Sequence, residues 1–308
     1  MMKNNLQIAS NSVPKVLLIG NGLLQLAGGG NWDKLLQKIT TRDVENSSLS
    51  GVPYAMRPEV LCGVDVEEVQ RKTATELEES NIHPLLKKLL ELPFDAIITT
   101  NYTYEIETAL LQKKWSEYQR QRSICVLHGS NSVRDNTCMC NFVKTPSGKE
   151  IPVFHVHGEK SRKHSLVLSY YSYAKSVAKL HALNKERANQ YYEKQAESKE
   201  IDVWSWLDYF ILGDVYTLGF GFDLSEFDIW WALERKAREI ANHGKAYLCM
   251  ITHKDAQLPQ VSLADAFDAE ILRFDVDKDY LPSYEQAVKV IEKIMGEREK
   301  QNEQRFCD

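Results

Sequence analysis

Phe94-Asp95-Ala96-Ile97-Ile98-Thr99-Thr100-Asn101-Tyr102 is an apolar run that stops on polar residues. Ile151-Pro152-Val153-Phe154-His155-Val156-His157-Gly158 has the same design. Short apolar runs of this kind read as strands buried on both faces, the type found in parallel sheets. Each then delivers its polar residues to a strand C-terminus, the edge at which open α/β sheets bind ligands. Two more such runs end in glycine. Lys15–Ile19 runs into Gly20-Asn21-Gly22 and then Gly28-Gly29-Gly30, and Asp214–Leu218 runs into Gly219-Phe220-Gly221-Phe222-Asp223.

Helical periodicity fills the intervals. Asn31-Trp32-Asp33 opens a helix with Leu35, Leu36 and Ile39 on its apolar face. Residues 84–92 predict a short amphipathic helix and 102–114 another. A helix starts at the tyrosine-rich stretch 170–173, and the highly charged stretch 184–200 reads as an exposed helix. Ser225-x-x-Asp228 is spaced as a capping box for a helix that buries Trp230, Trp231 and Leu233. Strands are predicted at 123–127, 245–252 and 271–274, a turn at Pro146-Ser147-Gly148-Lys149, and a closing helix at 283–295. Strands alternating with helices predict an α/β fold: a Rossmann-like, mostly parallel sheet flanked by helices. Two stretches, about 40–92 and 174–205, read as helical and loop insertions.

Composition narrows the function classes. With 308 residues, 43% hydrophobic and 10% aromatic, the chain has the material for a sizeable core. A net charge of -5 argues against a nucleic-acid-binding surface. The first eleven residues are polar with no signal-peptide pattern, and no apolar run approaches the ~20 residues of a membrane span. A cytoplasmic protein with no membrane contact is expected. The six cysteines include no C-x-x-C pair, so reduced thiols are expected in place of a structural zinc site.

Each motif has a chemical and a plain structural reading. Glycines after a strand let the backbone approach a pyrophosphate, or simply make a tight turn. The first turn is neither G-x-G-x-x-G, because Gln25 stands at the third glycine position, nor a P-loop. Asn101 could serve chemistry or cap the following helix. His155 and His157 alternate onto one side of their strand and could ligate a metal, but no spacing completes such a site. No metal is expected. In the second glycine turn, Asp223 or Ser225 could cap the next helix.

The order of these motifs resembles the sirtuin superfamily: strand with GNG, strand with TTNY, strand with HG followed by Leu166-Val167-Leu168-Ser169 and Tyr173, strand with GFGFD. More narrowly, it resembles the bacterial sirtuin-like NAD hydrolase domains of anti-phage defence. The likeness runs from about residue 15 to residue 294, so one such domain spanning 1–308 is expected. The resemblance implies NAD as substrate and cleavage to nicotinamide and ADP-ribose. It implies Asn101 and His157 as catalytic residues, with His157 neutral at physiological pH and acting as proton acceptor. It implies Gly20, Asn21, Gly22, Thr100, Tyr102, Gly219, Gly221, Phe222 and Asp223 as NAD-binding residues. The missing C-x-x-C pairs favour the hydrolase branch over protein deacylases. A non-catalytic module that binds NAD or ADP-ribose is the alternative. Thr103 stands where many relatives carry Asp. His128-Gly129 is a second His-Gly after an apolar run, but it lacks the downstream Leu-Ser and Tyr pattern, which favours His157. The resemblance further implies a homo-oligomer and a separately encoded partner, an ATPase translocase or an Argonaute. The two insertions are candidate contact sites for it, or else solvated decoration.

Overall fold

The computed structural model describes residues 6–44, 49–118, 125–126, 135–239 and 244–307. Among them the strands are β1 (Gln7–Ile8), β2 (Lys15–Ile19), β3 (Ala96–Thr99), β4 (Cys125–Val126), β5 (Met139–Lys144), β6 (Glu150–His155), β7 (Ile201–Asp202), β8 (Asp214–Leu218), β9 (Ala246–His253) and β10 (Ala269–Val276). Eight form one sheet in the order β10-β9-β8-β2-β3-β6-β5-β4. Every pair from β10 to β6 is parallel, and β5 and β4 extend the edge antiparallel. β1 and β7 pair with each other, apart from this sheet.

Counting only the six parallel strands in chain order, the sheet reads 3-2-1-4-5-6 from β6 to β10. That is the strand order of doubly wound dinucleotide-binding sheets. The fold is Rossmann-like α/β, as the alternation of strands and helices predicts. The strand order reverses between β2 and β8, so a crevice opens where both glycine turns leave the sheet.

Alternation along each strand feeds two cores. Val16, Leu18, Ile98, Phe154 and Val215 point to one face, where Leu180, Tyr191, Phe210 and Leu233 cover them. Leu17, Ile19, Ile97, Val153 and Leu218 point to the other, under Leu86, Leu89, Ile106, Val288 and Ile291. The second set comes from helices Pro84–Leu90, Glu105–Leu111 and Leu281–Cys307.

The stretch 40–92 is neither a sheet element nor loose decoration. It holds a one-turn helix, Tyr54–Met56, and helices Arg57–Cys62, Val66–Glu76 and Pro84–Leu90. Leu61 and Val69 close a small core with Leu36, Ile39, Leu166 and Leu168. Gln70 Nε2 donates to the Leu166 carbonyl at 2.7 Å, tying the insertion to the segment after β6. The second insertion also differs from expectation. One helix runs unbroken over Tyr170–Ala196, and it buries Leu180, Asn184, Arg187 and Tyr191. Lys185, Glu186 and Glu193 are exposed on it, while Arg187 pairs inward with Asp208 at 2.9 Å.

The hairpin strand β5 was not anticipated, because Asn141 interrupts its apolar run. The predicted turn at 146–149 does join β5 to β6, with Gly148 at φ +89. Of the strand expected at 123–127, only Cys125–Val126 lies among the described residues, and His128-Gly129 lies outside them. Cys62, Cys138, Cys140 and Cys249 form no disulfide. No helix among the described residues is long and apolar enough to cross a membrane.

Candidate active site

Because β2, β3, β6 and β8 are parallel, the residues that follow them emerge at one sheet edge. A cavity of about 810 Å³ occupies that edge. Asn21, Gly22, Thr100, Asn101, Tyr102, His157, Gly219, Gly221, Phe222 and Asp223 all line it. Gly20 stands behind this wall, and its carbonyl accepts from Asn101 Nδ2 at 3.4 Å. The 40–92 insertion contributes Tyr54, Ala55, Glu76, Leu77, Glu78 and Ser80 to the lining.

The glycines have a reason that precedes any ligand. A Cβ on Gly20 would lie 2.5 Å from the Gly219 carbonyl oxygen and 2.7 Å from Phe220 Cα. A Cβ on Gly22 would lie 2.2 Å from the Tyr284 hydroxyl. Gly22 N–H donates to the Gly219 carbonyl at 2.8 Å, so the two turns are bonded to each other. Gly219 itself has φ +69, a backbone that side chains rarely adopt. Gly221 differs: a Cβ there would meet nothing within 4 Å. Its missing side chain leaves cavity space and relieves no protein contact. Asn21 closes the loop after the first turn, its Nδ2 donating to the Gly30 carbonyl at 2.5 Å.

Asn101 does not cap the next helix. That helix begins at Glu105 with Tyr104 as its flanking residue. Asn101 N–H donates to Thr99 Oγ1 at 3.1 Å, and its carbonyl accepts from His155 Nδ1 at 2.7 Å. His155 Nε2 reaches Glu107 Oε1, also at 2.7 Å. A carbonyl and a carboxylate are both acceptors, so the doubly protonated ring satisfies both contacts. Burial opposes that charge, but Glu107 and Glu159 outweigh it and raise the His155 pKa to about 9. His155 is therefore turned away from the cavity and supports Asn101 from below. Thr103 also lines the cavity, in the place where the resemblance expects a carboxylate.

His157 faces two acids that the sequence did not mark as site residues, Asp228 having been read as part of a helix cap. Its Nε2 lies 3.3 Å from Asp228 and 3.6 Å from Glu226 Oε2. Asp228 is fully buried, takes a hydrogen bond from Ser176 Oγ at 3.1 Å, and accepts from the Ile229 N–H. Glu226 accepts from the Tyr173 hydroxyl at 2.8 Å. Burial lowers the His157 pKa, but the neighbouring carboxylates overcompensate and raise it to about 9. The expectation of a neutral His157 at physiological pH is thus corrected, since its surroundings favour the imidazolium. The capping box at 225–228 is not formed either. The helix begins at Phe227, and Ser225 donates its N–H and hydroxyl to Asp223 while Asp228 turns to the histidine. The donor atoms of His157, Glu226 and Asp228 lie within 4.8 Å of one another. A protonated imidazole beside the two carboxylates offsets one of their two negative charges.

Tyr102 and Tyr173 complete the wall. Tyr102 spends its hydroxyl on the Val167 carbonyl at 2.9 Å, and its ring lies tilted beside Trp32 with centroids 6.4 Å apart. Tyr173 packs edge-on against His157, with ring centroids 5.3 Å apart. Beside His157 the cavity is acidic, with Glu226 in its lining. No family model matches the chain, and no curated protein matches it.

Proposed function

We propose that this cavity binds NAD+ and hydrolyses its nicotinamide–ribose bond, releasing nicotinamide and ADP-ribose. One observation carries this reading. Asn101 and His157 share a single cavity with both glycine turns, at the strand-order reversal of a Rossmann-like sheet. A volume near 810 Å³ suits a dinucleotide-sized ligand.

The chemistry fits the charges. Nicotinamide in NAD+ is cationic and departs neutral, so positive charge moves to the ribose as the bond breaks. Carboxylates fixed at the cavity wall stabilise that charge, and a dry, preorganised site strengthens the effect. In this reading Asn101 orients the nicotinamide ribose and the attacking water through its side-chain amide. Its backbone is held by Thr99 and His155, and its Nδ2 rests on the Gly20 carbonyl at the first glycine turn. The 40–92 insertion supplies part of the cavity lining. The reaction so read needs no metal.

The biological setting comes with the resemblance: depletion of NAD in anti-phage defence, within a homo-oligomer controlled by a separately encoded ATPase or Argonaute partner. Incubation of purified protein with NAD+ tests the activity. Nicotinamide release that Asn101→Ala removes supports hydrolysis. Binding of NAD+ as a thermal shift without release supports the non-catalytic module instead.

A further inference from the structure

The hydrolysis proposed above needs a base, because water attacking the ribose carbon must lose a proton. Two titratable residues of this cluster line the cavity and are candidates for it, His157 and Glu226. His157 Nε2 is directed at Asp228 and Glu226, whose carboxylate oxygens are acceptors, so that nitrogen serves as a donor, and the same two carboxylates favour a ring that is protonated on Nδ1 as well. The His157 side chain is 3% exposed and that of Asp228 is wholly buried. Glu226 is different: its side chain is 21% exposed and lines the cavity. We infer that Glu226 is the catalytic base of this site, and that Asp228 is a positioning residue holding His157 with its Nε2–H turned inward to the carboxylates. This inference rests on reading the cavity as an NAD+ hydrolysis site.

The step balances. The water oxygen bonds to the ribose C1′, and the C1′–N bond breaks with its electron pair passing to nicotinamide, which leaves neutral. The water proton moves to the Glu226 carboxylate and from there to solvent. The imidazolium of His157 stays charged throughout and anchors the two acids at fixed positions.

The groups facing Glu226 come from every surrounding element. His157 follows β6, Tyr102 follows β3, Asp223 belongs to the turn after β8, Tyr173 lies on helix Tyr170–Ala196, and Asp228 is on its own helix. Burial raises the Glu226 pKa first of all, and Asp228 and Asp223 raise it further. His157 and the Tyr173 hydroxyl pull it back, leaving it at about 7. A base with that pKa is half-ionised near neutrality, where general-base catalysis is most effective.

The experiment is the pH profile of NAD+ cleavage by the full chain and its variants. Expected for the wild type is a kcat/KM that climbs through an acid limb near pH 7. Glu226→Gln should lower kcat by about 100-fold or more with KM little changed, since general-base catalysis is worth roughly 10²–10⁴. Formate added to Glu226→Ala should restore part of the rate by replacing the lost carboxylate. A Glu226→Gln enzyme that keeps the wild-type kcat and acid limb overturns the assignment while leaving NAD+ hydrolysis intact. So does a rate that a chelator abolishes and a divalent cation restores. A wild type that releases no nicotinamide overturns the underlying reading, and the base with it. The positioning half is tested without turnover, by 15N NMR of the His157 ring. Expected is an imidazolium at pH 7 in the wild type and a neutral ring in Asp228→Asn. A neutral ring in the wild type overturns it.

Discussion

At the scale of single residues, glycines that look alike in the sequence do different jobs. Gly20 is required by protein backbone: Ala there collides with the Gly219 carbonyl and Phe220 Cα, neither of which can swing aside. Gly20→Ala is expected to cost about 1–3 kcal/mol, measured by urea denaturation. Gly221→Ala meets no atom within 4 Å and should leave stability within about 0.5 kcal/mol. Because its Cβ would occupy cavity space, it should weaken NAD+ about tenfold, or ~1.4 kcal/mol, in a calorimetric titration. His155 carries a pH prediction. Its charged form is favoured in the folded state, so its contribution is complete below the ordinary value of 6.5 and fades as pH rises toward about 9. Wild-type stability should therefore fall across that window, with a shallower fall in Glu107→Gln. An identical slope in both proteins would contradict the His155–Glu107 bond. The catalytic candidates Asn101 and His157 stood out in the sequence because each closely follows a buried strand. Glu226 and Asp228 were not, because Ser225-x-x-Asp228 before an apolar helix has the spacing of a cap. A signal was present nonetheless: Asp228 precedes the buried Ala232 by four positions, which puts a carboxylate on the helix's apolar stripe.

At the scale of elements, β2 and β8 have the bounds read from the sequence, because their apolar runs are uninterrupted and end at glycine. β5 was missed for the opposite reason. Asn141 sits in its centre, buried, and its Nδ2 donates to Glu107 at 2.8 Å and to Glu159 at 3.3 Å. Burial of a polar residue with a partner distant in sequence leaves no local trace. The same holds for the helix Tyr170–Ala196, whose charges suggested a solvated rod. Arg187 on its inner face donates to Asp208, which also accepts from the Tyr191 hydroxyl and from the N–H groups of Trp204 and Ser205. Arg187→Ala strands a buried carboxylate and is expected to cost about 3–5 kcal/mol by chemical denaturation. A cost below about 1 kcal/mol would mean that the helix is loosely attached.

At the scale of the whole molecule, the sheet order decides where chemistry is possible. The six parallel strands reverse direction of growth between β2 and β8, and the glycine turns, Asn101 and His157 all gather at that reversal. Alternating strands and helices announced the α/β class, but not that the 40–92 insertion folds back to wall the cavity. That closure depends on Leu61 and Val69 meeting Leu166 and Leu168, residues about a hundred positions away. The central claim is that this gathered site cleaves NAD+ at the nicotinamide–ribose bond. Proton NMR of NAD+ mixed with the purified protein tests it most directly. The account predicts equal amounts of nicotinamide and ADP-ribose from the wild type and none from Asn101→Ala. NAD+ left intact by the wild type, or cleaved equally well by Asn101→Ala, would contradict it.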